Sequence, residues 1–180
     1  MKGLVFTTFY DFCEQKFGED LLEDVIEASR VPNGGAYTSV GTYPFEEMVS
    51  LMTTTVKLTD MNMPELMESF GTFCFGQWVS YAPARFANKD LFDVLESIDD
   101  FHEQEVRKLY PDAELPSFKV ESRSDTRLVL AYHSCKPLAD LACGVIKGAS
   151  VHLASPVSVQ HSPQSMPGGS YVRFEIERVG

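Results

Sequence analysis

The sequence predicts an α+β fold in which a mostly helical first part precedes an antiparallel sheet carrying one packed helix. Three observations predict it. Apolar residues recur every three or four positions through most of the first 110 residues, which is the helical period. Beyond Pro111 the period falls to two, the mark of strands with one buried face. A helical stripe then returns once between two pairs of strands, and helices followed by such a block form α+β domains. With 180 residues and no repeat, low-complexity run or long linker, residues 1–180 read as a single domain.

In chain order, Leu21, Leu22, Val25 and Ile26 mark an early helix that gives way to the loop Pro32, Asn33, Gly34, Gly35. After Pro44, apolar positions 45, 48, 49, 52 and 56 form a second stripe, so the helical first part runs to about residue 60. A third helix is capped by Asn62 or Met63, with Pro64 in its first turn, where a missing N–H costs nothing. Its apolar positions 66, 67, 70, 73, 74 and 78 require burial. A long helix spans about 89–110, with Leu91, Leu95, Ile98, His102, Val106 and Leu109 stepping along one face. Ser117–Val120 and Arg127–Ser134 then alternate as strands, the second with Leu128, Leu130, Tyr132 and Ser134 on one side. Pro137 ends it, and Leu138, Leu141, Val145, Ile146 and Ala149 form the returning helix. Val157–Val159, a turn at Pro167-Gly168-Gly169 and the strand Tyr171–Val179 complete the sheet.

Composition narrows the function. Fifteen basic against 26 acidic residues give a net charge of −11. That field repels phosphate backbones, and no basic patch offsets it, so no nucleic-acid partner is expected. No run reaches the ~20 apolar residues of a membrane helix, so no membrane insertion is expected. The N-terminus lacks a cleavage signal, and Cys13, Cys74, Cys135 and Cys143 lack CxxC spacing. A cytoplasmic protein with reduced thiols is the expectation. GxSxG, HExxH, Walker and GxGxxG motifs are all missing from the chain, and no histidine stands beside a nucleophile with a third group to orient it, so no catalysis is expected.

Two groups of residues can carry chemistry. His102 lies in an apolar stripe, where an imidazole must find a partner for its nitrogens. It is either a hydrogen-bonded core residue or an axial metal ligand, and its neighbours Asp99, Asp100, Glu103 and Glu105 either orient the ring or form the solvated face of the helix. In YHSCK, residues 132–136, period two puts Tyr132, Ser134 and Lys136 on one side if the strand continues. Two hydroxyls and one cation form either a cradle for a carboxylate or phosphate, or a plain strand end with an exposed lysine. The seven Met and thirteen Phe serve as core, and equally suit the lining of a large flat ligand.

Several segments together resemble the heme nitric-oxide/oxygen-binding (H-NOX) family, which includes the sensor domain of soluble guanylate cyclases. They are the MKGLVF opening, FGTFCF at 70–75, ESIDDFHEQEVRKLYPDAELPSF, YHSCK, CGVIKGA and the final FEIERV. The resemblance implies an H-NOX-like fold with heme b held between a helical distal part and the C-terminal part. It implies His102 as the iron ligand, Tyr132, Ser134 and Lys136 on the propionates, and Pro116 packed against the porphyrin. Val5, Phe9, Cys74 and Leu141 map to the distal pocket. Leu141 occupies the place of the tyrosine that oxygen-binding members carry, which implies a nitric oxide sensor that discriminates against O₂. The implied partner is a histidine kinase or a cyclic-di-GMP enzyme. Of the Cys/His cluster by which some members hold zinc, only His161 matches, so no zinc is expected.

Two departures fall on the cofactor anchors. Counted back from LYPDAELPSF, the ligand position falls on Glu103, whereas counting from the N-terminus gives His102. One extra residue taken up as a bulge reconciles the counts; an unbroken helix turns the side chain ~100° away and loses the ligand. Lys136 stands where the family motif has arginine, keeping the charge but losing the bidentate fork. The alternative function is therefore a heme-independent ligand-binding or protein-interaction domain of the same fold.

Overall fold

The computed structural model describes residues 1–166 and 169–179. They form two compact units, Met1–Phe70 and Gly71–Gly180.

The first unit is helical. It contains α1 (Gly3–Phe17), α2 (Glu19–Ser29), a short turn at Pro32–Gly35, α3 (Phe45–Leu58) and the start of α4 (Met63–Tyr81). Gly18, at φ +95°, separates α1 from α2 in a conformation that costs glycine little. Phe6, Phe9 and Phe12 line the buried face of α1, and Phe9 meets Phe70 edge to face at 5.1 Å. Of the two candidate caps for α4, Asn62 serves. Its Oδ1 accepts the Glu65 N–H at 3.0 Å, and Glu65 Oε2 accepts the Asn62 N–H at 3.1 Å. Two otherwise orphaned donors are thereby satisfied reciprocally.

The second unit holds the rest of α4, then α5 (Pro83–Phe86), α6 (Leu91–Glu96), α7 (Ile98–Phe101), a π-wound segment (His102–Val106) and α8 (Arg107–Leu109). The continuous helix expected over 89–110 is thus interrupted twice. Asp90 caps α6 by accepting the Phe92 N–H at 2.9 Å. Ser97 closes it, its hydroxyl donating to the Val94 carbonyl at 2.8 Å and competing with the backbone for the next turn. Beyond Phe101 the His102 carbonyl accepts from the N–H of Arg107, five residues on, which is π geometry and accommodates one extra residue.

Strands β1 (Ser117–Arg123), β2 (Arg127–His133), β3 (Val157–Met166) and β4 (Gly169–Arg178) form an antiparallel sheet in the order β1-β2-β4-β3, with α9 (Ala139–His152) between β2 and β3 in sequence. The second strand pair is longer than the alternation indicated, and the Pro167-Gly168 part of the expected turn lies outside the described residues. Leu128, Leu130, Tyr132, Phe174 and Ile176 bury one face of the sheet in a core with Cys143, Ile146 and Ala149 of α9 and Leu91 and Leu95 of α6. Val129 and Ala131, on the opposite face, are buried too. Arg127 pairs there with Glu175, and Arg173 with Glu121 at 2.9 Å, so long side chains cover them. No helix among the described residues is long and apolar enough to cross a membrane.

Candidate functional site

His102 opens the π segment and is half-buried. Its Nδ1 lies 3.3 Å from the carbonyl oxygen of Pro116. A carbonyl only accepts, so this contact requires the proton on Nδ1 and leaves the lone pair on Nε2. Burial holds the ring below the usual imidazole range, against the opposing pull of the Pro116 carbonyl and the Asp99 and Glu103 carboxylates. The neutral form is favoured, as a metal ligand requires.

A cavity beside the ring is lined by Phe75, Trp78, Arg85, Phe86, Phe101 and Val145, among others. The Arg85 guanidinium lies 4.5 Å from the centre of the Phe101 ring. The cavity measures about 30 Å³, about a tenth of the one described next. Trp78 is exposed and Phe101 half-buried at its margin.

Tyr132, Ser134 and Lys136 line a second, more open cavity of about 310 Å³ with Pro163, Tyr171 and Val172. The convergence holds, but its cause differs from the expected one. β2 stops at His133 and the chain turns, with the Lys136 N–H donating to Ser134 Oγ at 3.1 Å, so a side-chain turn does what strand alternation was expected to do. Burial pushes the Tyr132 phenol up, opposed by the neighbouring Ser134 hydroxyl. Its ring sits between Phe118, at 5.0 Å, and Phe174, at 5.9 Å. The Lys136 ammonium, only 13% exposed, is paired with the carboxylate of Glu114, which is 71% exposed. The pair raises the lysine and lowers the acid.

The remaining sequence candidates are distributed. Cys74 is buried on α4 and its thiol is pushed up to about 12 by desolvation, so it is an inert apolar group. Leu141 is half-buried on α9, and its carbonyl faces Gly71. Val5 and Phe9 belong to α1 of the first unit, Phe9 fully buried and Val5 half-buried. Sequence reasoning missed Arg85, Trp78 and Phe101 beside His102; Asp99, one of the acids expected either to orient the ring or to face solvent, accepts the Phe118 N–H at 2.8 Å through its carboxylate. The i, i+3 spacing of Asp99 and His102 was the available signal.

The donor set suits a metal-bearing macrocycle: one neutral imidazole backed by a carbonyl, an aromatic and aliphatic lining, and a Tyr/Ser/Lys cradle for acidic groups. Comparisons with known proteins agree with that chemistry. The sequence signature described as Haem-NO-binding matches residues 2–161. Among solved structures, the Fe(II) unliganded H-NOX protein from K. algicida is 32% identical with a TM-score of 0.88, the alignment covering 100% of this chain and 97% of that one. The S. oneidensis H-NOX protein in the Fe(II)NO state is 23% identical, with a TM-score of 0.87 and 100% of both chains covered. An oxygen-binding H-NOX domain related to soluble guanylate cyclases, solved as its oxygen complex, is 19% identical with a TM-score of 0.84, covering 100% and 96%. No curated protein matches. The chain is a member of the haem-NO-binding, or H-NOX, family.

Proposed function

We propose that residues 1–180 act as one H-NOX domain, a cytoplasmic heme b sensor of nitric oxide that has no catalysis of its own. Output passes to a separate partner, a histidine kinase or a cyclic-di-GMP enzyme. The observation that carries this reading is the imidazole of His102, with Nδ1 engaged by Pro116 and Nε2 left as a metal ligand beside an apolar cavity. When bound, heme would supply an iron that can take a diatomic gas. The protein's residues do the rest. His102 would hold the metal, Pro116 would back the ring and pack on the cofactor, and Tyr132, Ser134 and Lys136 would take its acidic groups. By the family resemblance, Leu141 would offer no donor to polarised O₂ where oxygen-binding members carry a tyrosine, whereas NO needs little such help. Reconstitution with ferrous heme followed by NO titration tests the proposal. A Soret band that shifts with NO supports it, and a colourless protein overturns it.

Leu141→Tyr should add the missing donor. One hydrogen bond is worth roughly a factor of ten, so O₂ affinity should rise about tenfold while NO affinity changes little. Stopped-flow dissociation rates for both gases check this.

The second reading, a heme-independent domain of this fold, is favoured by two observations: the limited open space beside His102 and the prior engagement of Lys136 by Glu114. The chain's single tryptophan separates the readings. Trp78 is 36% exposed and lines the cavity, so heme bound beside His102 would quench it by energy transfer. Under the sensor reading, most of the Trp78 emission disappears at one equivalent of heme; unchanged emission supports the second reading.

A further inference from the structure

We propose that Asp99 is the positioning residue of the His102 imidazole, and that it works by gripping the open edge of the sheet. β1 is an edge strand, paired only with β2, so alternate N–H and C=O groups along it project away from the ladder. Groups two residues apart on a strand project to the same side. The Phe118 N–H and the Pro116 carbonyl are two residues apart, and both are taken from the same helical stretch. Asp99 Oδ1 accepts the first at 2.8 Å, and His102 Nδ1 lies 3.3 Å from the second. Asp99 and His102 are three residues apart, which puts both on one helix face. Side chains at i and i+3 of the helix thereby meet backbone groups two residues apart, the Phe118 N–H in β1 and the Pro116 carbonyl just before its start.

The two contacts have unequal authority. The carboxylate contact is short and charge-assisted, whereas the imidazole contact is long. Asp99 therefore sets the separation of helix and strand, and the Pro116 carbonyl, carried along two residues upstream, falls where it can take the Nδ1 proton. The consequence is a chosen tautomer: Nδ1 protonated, Nε2 bare. Loss of the grip lets the strand start move off and leaves the imidazole to choose its tautomer as it would in water.

This inference takes its functional meaning from the reading of His102 as metal ligand, but its test does not require heme. Full-length protein labelled with ¹⁵N-histidine is observed without heme at pH 8, where the imidazole is neutral, and ¹⁵N shifts report which nitrogen of His102 carries the proton. Wild type should show Nδ1–H. Asp99→Leu should lower the Nδ1–H to Nε2–H ratio about tenfold, the worth of one hydrogen bond. Asp99→Asn keeps an acceptor for the Phe118 N–H and should retain the wild-type tautomer. Asp99→Ala serves if the leucine variant fails to fold, as judged by circular dichroism. A folded leucine or alanine variant with an unchanged ratio overturns the proposal, as does an asparagine variant shifted as far as leucine. In a second arm each variant receives ferrous heme, and resonance Raman reads the iron–imidazole stretch. A shift in leucine but not asparagine agrees with the proposal. The absence of any such band in wild type would remove the sensor reading and leave the tautomer result standing.

Discussion

His102→Gly should cost the protein about a hundredfold or more in heme retention, because even supporting residues of a metal site are worth 10–100-fold. The reconstituted variant should lack the ferrous spectrum of an imidazole-bound heme, and free imidazole should restore it by filling the space the side chain leaves. The partner experiment exchanges neighbours: His102→Glu with Glu103→His. A one-residue step turns a side chain ~100° around a helix, so the displaced histidine should miss the cavity and give no imidazole spectrum. An intact spectrum from the exchanged variant would place the ligand in the other register and refute the π-wound arrangement as its cause.

The largest stability effect should come from Gly71→Val. A Cβ at position 71 would lie 2.1 Å from the Leu141 carbonyl oxygen, 2.8 Å from the Val145 nitrogen and 3.0 Å from the Gly144 carbonyl carbon. All three are backbone atoms of α9, which cannot rotate aside as a side chain can. Overpacking of this kind costs about 3 kcal/mol or more, or roughly 10 °C in Tm for a chain of this size. Gly76→Ala, five residues along the same helix, should have the opposite sign. Nothing lies within 4 Å of a Cβ there, so alanine should stabilise by about 0.5–1 kcal/mol through its better helix propensity. Thermal melts of the two variants check both, and a harmless valine at 71 would contradict the close approach of α4 to α9.

The sequence made some of this legible and concealed the rest for identifiable reasons. The α+β architecture followed from the change of period near Pro111, because a single buried face imposes its spacing on the chain. The Asn62 cap and the strand Arg127–His133 were visible for the same local reasons. The breaks at Ser97 and His102 were not visible in periodicity, since a single extra residue leaves a three-or-four spacing intact on either side. It surfaced only as two counts that disagreed by one. The grouping of Tyr132, Ser134 and Lys136 was anticipated on a wrong premise: a turn built by the Ser134 hydroxyl, not continued alternation, gathers them. Arg85 and Glu114 went unrecognised because their partners are distant in sequence, and the backbone partner of Asp99 was hidden because charged residues on a helix resemble any solvated face.

The ion pair at Lys136 carries one further consequence. Under the proposed function, an incoming carboxylate would compete with Glu114 for the same ammonium, so uptake at this point would resemble an ion exchange. The electrostatic gain of such a trade nearly cancels. Discrimination among guests would then fall to the neutral hydroxyls of Tyr132 and Ser134, with the lysine serving as a latch between one carboxylate and the next.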